Sequence, residues 1–88
     1  MTEIKAFNYR DTNGDVHGCE TLRLFIETAL EDEFVQQELE DYDIFESQLL
    51  GQGQTIITPD TIEVTVYGQV VTFNRIGWAL YEYGSCTL

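Results

Sequence analysis

The sequence predicts an α+β fold: an N-terminal β-hairpin, one or two acidic helices, and a C-terminal antiparallel β-meander. Three observations carry this reading. Asn13-Gly14 sits between two strand-like segments, a strong hairpin signal because Asn and Gly both tolerate positive φ. Between residues 22 and 49 the apolar residues recur at helical spacing, and beyond Pro59 their period falls to two. Strands and helices segregated into blocks, rather than alternating, mark α+β over α/β.

The hairpin joins residues 4–9 to residues 15–18, with Thr12 expected opposite Asp15 and Arg10 opposite His17. A helix follows. Leu22, Phe25, Ile26, Ala29 and Leu30 form one buried stripe, and Arg23, Glu27 and Glu31 fall on its other side. Thr21 has the short hydroxyl side chain of an N-cap. The stripe then slips. Val35, Leu39, Tyr42, Phe45 and Leu49 make a second one, so a break near Asp32 is expected, then one helix or two short ones over 33–50. Gly51 is the natural stop, and residues 51–54 (GQGQ) read as a loop. In the meander, Ile62, Val64 and Val66 alternate with polar residues. A Gly68-Gln69 turn would set Val66 against Val71 and Val64 against Phe73. Residues 74–77 read as another turn and 78–83 as the last strand.

With 88 residues, 43% of them hydrophobic, residues 1–88 form a single domain with a small core. No run approaches the ~20 apolar residues of a membrane span. Cys19 and Cys86 are too few for a disulfide framework and read as reduced thiols, so a cytoplasmic location is expected.

The motifs that carry chemistry are weak. Residues 11–18 (DTNGDVHG) place Asp11, Asn13 and Asp15 at the first three ligand positions of a calcium loop. Val16 stands where that loop needs Gly, and Leu22 where it needs a bidentate Glu. Gly14 suits a turn instead. His17, Cys19 and Cys86 fall short of the four paired N/S ligands of structural zinc. The single His, Ser47 and Ser85 form no nucleophile motif, and GQGQ lacks the lysine of a phosphate loop. The chain is read as no enzyme, with no catalytic residues, no metal and no cofactor.

Charge is the dominant feature. Sixteen acids against four bases give a net charge of −12. Nine of those acids lie in twenty residues: Glu27, Glu31, Asp32, Glu33, Glu38, Glu40, Asp41, Asp43 and Glu46. No Lys or Arg falls between Leu24 and Asn74. A solvated helix ordinarily intersperses bases, gaining ~0.2–0.5 kcal/mol per i,i+4 pair, whereas Glu27 and Glu31 are like charges at that spacing. Direct binding to nucleic acid or to an anionic membrane is disfavoured, since both need cations. A basic partner fits. Carboxylates one helical turn apart are spaced to imitate phosphates, which a nucleic-acid-binding protein would meet with its own Arg and Lys.

The segment ETALEDEFVQQELEDYDIFE (27–46), with the small size and the acidic α+β outline, resembles the DNA-mimic inhibitors of phages and mobile elements, of anti-CRISPR or antirestriction type. The resemblance implies an inhibitor that blocks the DNA- or RNA-binding groove of a host defence or DNA-processing protein, acting in the host cell cytoplasm as a monomer or small homo-oligomer. The nine acids would form the binding surface with Tyr42 as an aromatic anchor, and Tyr67, Tyr81 and Tyr83 are further anchor candidates. Two other classes remain open. One is a non-catalytic adaptor whose acids serve solubility or salt adaptation. The other is a weak divalent-cation binder built on Glu38, Glu40, Asp41 and Asp43.

Overall fold

The computed structural model describes residues 6–87. Nine elements follow one another: β1 (Phe7–Arg10), β2 (Val16–Cys19), α1 (Leu22–Leu30), α2 (Glu33–Asp41), α3 (Glu46–Gln52), β3 (Gln54–Ile57), β4 (Thr61–Val66), β5 (Gln69–Gly77) and β6 (Leu80–Thr87). The strands form one six-stranded sheet in the order β2-β1-β6-β5-β4-β3. The three helices cover one face. The architecture is α+β, with strands at both ends of the chain and helices in the middle, and the shortest dimension of 19 Å is that of two layers.

Every pairing is antiparallel except one. β1 and β6 run parallel, with Tyr9 beside Tyr81, so the strands from the two ends of the chain meet in the sheet interior. The helix-facing residues Tyr9, Val71, Phe73, Tyr81, Cys86, Ile62, Val64 and Val66 are buried. Phe25 of α1 packs edge-on to Tyr9, Phe73 and Tyr81 at centroid distances of 5.6, 5.0 and 5.9 Å. Edge-to-face pairs of this kind add ~0.5–1.5 kcal/mol each beyond area burial.

The first hairpin differs from its expected form. Gly14 donates to Asp11 O, closing a turn, and Gly14 alone among the loop residues has positive φ, at 92°. That is a three-residue loop with a bulge at Gly14, not a two-residue Asn-Gly turn. The reason is Asp11, whose carboxylate accepts from the N–H groups of Asn13 and Asp15 at 3.0 and 2.9 Å. Register therefore shifts by one: Tyr9 faces His17 and Arg10 faces Val16. Residues 4 and 5 of the expected first strand lie outside the described residues.

The helices start as expected. Thr21 Oγ1 accepts from Leu24 N, and the break falls at Asp32, which caps α2. α2 ends in a Schellman motif: Ile44 N–H reaches Leu39 O, Asp43 N–H reaches Glu40 O, and Asp43 takes φ of 59°. This turn resets the helical phase. Ile44 is buried where Phe45 was expected, and Phe45 is left half-exposed.

Gly51 does not stop α3. The helix runs to Gln52 and the chain turns at Gly53 straight into β3, a strand expected to be loop in part. A Cβ on Gly53 would stand 2.4 Å from Leu49 O and 2.8 Å from Val64 Cγ1, so the close approach of α3 to β4 needs glycine there. Further on, Tyr67 and Gly68 both take positive φ, as a type I′ turn requires. The turn is thus one residue earlier than Gly68-Gln69, and Val64 faces Val71 while Ile62 faces Phe73. The apolar faces still coincide. β5 also continues through residues 74–77 to a turn at Trp78 and Ala79, so the last strand runs from Leu80 to Thr87.

Candidate functional site: the acidic helical layer

The burial stripes decide where the acids point. Phe25, Ile26, Ala29, Leu30, Val35 and Leu39 face the sheet. Glu31, Glu33, Glu40 and Asp41 therefore point away from the sheet, Asp43 and Glu46 are exposed at the α2–α3 turn, and Glu27, Asp32 and Glu38 are half-buried. None of the six exposed acids has a cationic partner among the described residues. Glu27 pairs with Arg23 at 3.1 Å, a surface i,i+4 contact.

The acids fall into two groups, joined by the outer face of α2. The first gathers where α1 meets α2. Glu31, Asp32 and Glu33 line a cleft of about 520 Å³ whose opposite wall is the β1–β2 turn. That turn adds Asp11, which the sequence reading assigned to a turn, and His17, whose Nε2 lies 2.9 Å from Asp11 Oδ2. The hydrogen bond with His17, then that from the Asp15 N–H, holds the Asp11 carboxyl below the usual range. The second group, Glu40, Asp41, Asp43 and Glu46, surrounds the α2–α3 turn. Glu33 and Glu40 sit seven residues apart on one helix face, about 10.5 Å along the axis.

One of the candidate residues works inside the fold. Asp32 accepts from Phe34 N, from Thr12 N and Oγ1 at 2.8 Å each, and from Tyr9 Oη at 3.0 Å. Burial opposes its charge, but these hydrogen bonds outweigh burial and hold the carboxyl below its ordinary range. Asp32 is a tether between helix and hairpin. Glu38 stands beside the Tyr83 phenol, which burial first and that carboxylate next push well above its usual value.

The aromatic candidates separate. Tyr81 is core, at 8% exposure, and Tyr83 packs against Phe34 and Phe73. Tyr42 and Tyr67 are open to solvent. Exposed residues that sequence reasoning passed over are Phe34 at 57% and Trp78 at 71%. Phe34 lines the acidic cleft. Its signal was present: it lies one residue off the Val35–Leu39 stripe, where an amphipathic helix would carry a polar residue.

Among the described residues no group of three or more His, Cys, Asp or Glu side chains is brought together to hold a metal ion, and Cys19 and Cys86 are both free and buried. No described helix is long and apolar enough to cross a membrane. Comparison with protein-family models, with curated proteins and with solved structures gives no match for this chain.

Proposed function

We propose that this protein is an inhibitor that presents its helical layer as a nucleic-acid mimic to the groove of a DNA- or RNA-binding protein. One observation supports the reading: six exposed carboxylates, unmatched by any cation among the described residues, are carried by the helices and turns of a layer packed on a six-stranded sheet. The roughly 10.5 Å between Glu33 and Glu40 is close to three axial phosphate steps of about 3.4 Å. A rigid scaffold loses little ordering entropy on binding. Association with a basic groove would be steered electrostatically and would weaken as salt rises.

The basic partner is a defence or DNA-processing protein that competes with its own nucleic acid for this chain. Glu31, Glu33, Glu40, Asp41, Asp43 and Glu46 supply the charge. Tyr42 and Phe34 supply apolar contacts beside it, at the α2 C-terminus and in the cleft. Because Asp32 tethers α2 to the hairpin and Glu38 is half-buried, the test uses other positions. The triple variant Glu33→Lys, Glu40→Lys and Asp41→Lys, which takes the net charge from −12 to about −6, melts no lower than the parent and loses capture of nucleic-acid-binding proteins from lysate. Capture that survives this change, or that is indifferent to competing DNA and RNA, overturns the reading.

A second reading rests on exposed Trp78 in the β5–β6 turn. A non-catalytic adaptor would bind through that aromatic, with the acids serving solubility. Its affinity would be nearly independent of salt and would fall on Trp78→Ala. An unchanged affinity in that variant removes it.

A further inference from the structure

We propose that two copies of this chain associate by pairing β3 with β3 antiparallel across a two-fold axis. The proposal stands apart from the helical surface and rests on the two sheet edges being unlike. β2, one edge, is flanked by Asp15 and Glu20 and carries His17. Charges of that kind are how natural sheets discourage edge-to-edge pairing. β3, the other edge, has no charged residue within it or immediately beside it in the chain. Residues 47–59 form the longest run in the chain without Asp, Glu, Lys or Arg. On a molecule of net charge −12, that is where a second copy meets the least repulsion.

The backbone pattern supplies the register. Thr58 N–H donates to Thr61 O, so the alternation of an antiparallel ladder turns Ile56 toward β4 and turns the N–H and C=O groups of Thr55 and Ile57 outward. Thr55 of one copy opposite Ile57 of the other uses all of these outward groups. Ile56 then lies opposite its symmetry mate on the helix-free face. Ile56 and Ile57 are 57% and 52% exposed, one on each face of the sheet, and pairing covers part of each. Tyr67, which is exposed, lies past the end of β3, where its hydroxyl meets Gln52. The nearest acids are Asp60, three residues beyond β3, and Glu63, which faces Ile56 from β4; the Glu63 carboxylate accepts from Thr61 Oγ1. A contact this short buries less than the ~800 Å² per partner of a standard interface, so the dimer is weak and concentration-dependent.

Sedimentation velocity over a concentration series, at low and high salt, tests it. The wild-type chain passes from monomer to dimer as concentration rises, and salt tightens the dimer by screening repulsion between copies. Ile57→Pro removes an outward N–H without touching the β4 ladder, and association weakens about tenfold or more. Mild oxidation of Ile56→Cys gives a disulfide-linked dimer, because a non-hydrogen-bonded pair across the axis brings its Cβ atoms to ~4.5–5.5 Å; Asp60→Cys, off the axis, does not crosslink. A chain that stays monomeric at high concentration and high salt overturns the proposal. So does a dimer that ignores Ile57→Pro, or that crosslinks as well through residue 60 as through residue 56.

Discussion

Asp43 sits where a helix usually ends on glycine. Its φ of 59° places a Cβ in the left-handed region, although Asp tolerates it better than most residues. Asp43→Gly is therefore expected to raise stability by about 0.5–1 kcal/mol, read as a higher urea midpoint. Asp32 is the opposite case. Its folded-state proton affinity is held below that of the unfolded chain, so its contribution is complete above about pH 4 and drains away as pH falls further. Asp32→Asn keeps an N-cap but gives up the charge. It should cost about 1–3 kcal/mol at neutral pH and flatten the acid limb of the stability profile, seen in urea melts from pH 6 down to 3. At the alkaline end Tyr9 acts with the reverse sign. Burial and then Asp32 raise its phenol, so the folded state holds the proton while the unfolded state releases it, and stability declines above about pH 10.

At the scale of elements, the two glycines of GQGQ make a paired test. Gly51 lies inside α3 with open space around a Cβ, so Gly51→Ala should stabilise by up to about 1 kcal/mol. Gly53→Ala drives a Cβ into Leu49 O and the Val64 side chain and should destabilise by ~1–3 kcal/mol. Thermal melts of the two single variants check both signs. The same pair explains which elements could be read from sequence. The stripe of α1, Val35 and Leu39 of α2, the Thr21 cap, the break near Asp32 and the alternation in β4 are local patterns, and each was legible. β3 was not, because a four-residue edge strand with exposed Ile56 and Ile57 has no buried face to impose a period. The stop at Gly53 was not, because it depends on Val64, eleven residues away. The hairpin register failed on one side chain: Asp11 offered its carboxylate to two N–H groups and outcompeted the Asn-Gly turn. The acidic run was the plainest feature of the chain. Its division into two groups was not, since Asp11 reaches the first of them only through the tertiary contact between hairpin and α2.

At the scale of the whole molecule, net charge works against compaction. With −12 spread over a fold of 12.0 Å radius of gyration, self-repulsion is present at every pH where the acids are ionised. Added salt should therefore raise the melting temperature, by a few degrees between about 20 and 500 mM, because Debye screening shortens from roughly 20 Å to about 4 Å. A flat or falling melting temperature would mean that the acids are internally compensated. The parallel seam between β1 and β6 has a consequence in time. Tyr9 and Tyr81 are neighbours in space and 72 positions apart in the chain. During synthesis β1 and β2 precede the strand that lies beside β1, and a two-stranded hairpin is marginal on its own. The helices follow, yet Phe25 has neither Phe73 nor Tyr81 to close around it. The aromatic core is completed only when the final segment emerges and slides in between the oldest strand and β5. Until then this protein is a nascent chain with an open middle, and its folding is expected to be a late, single event.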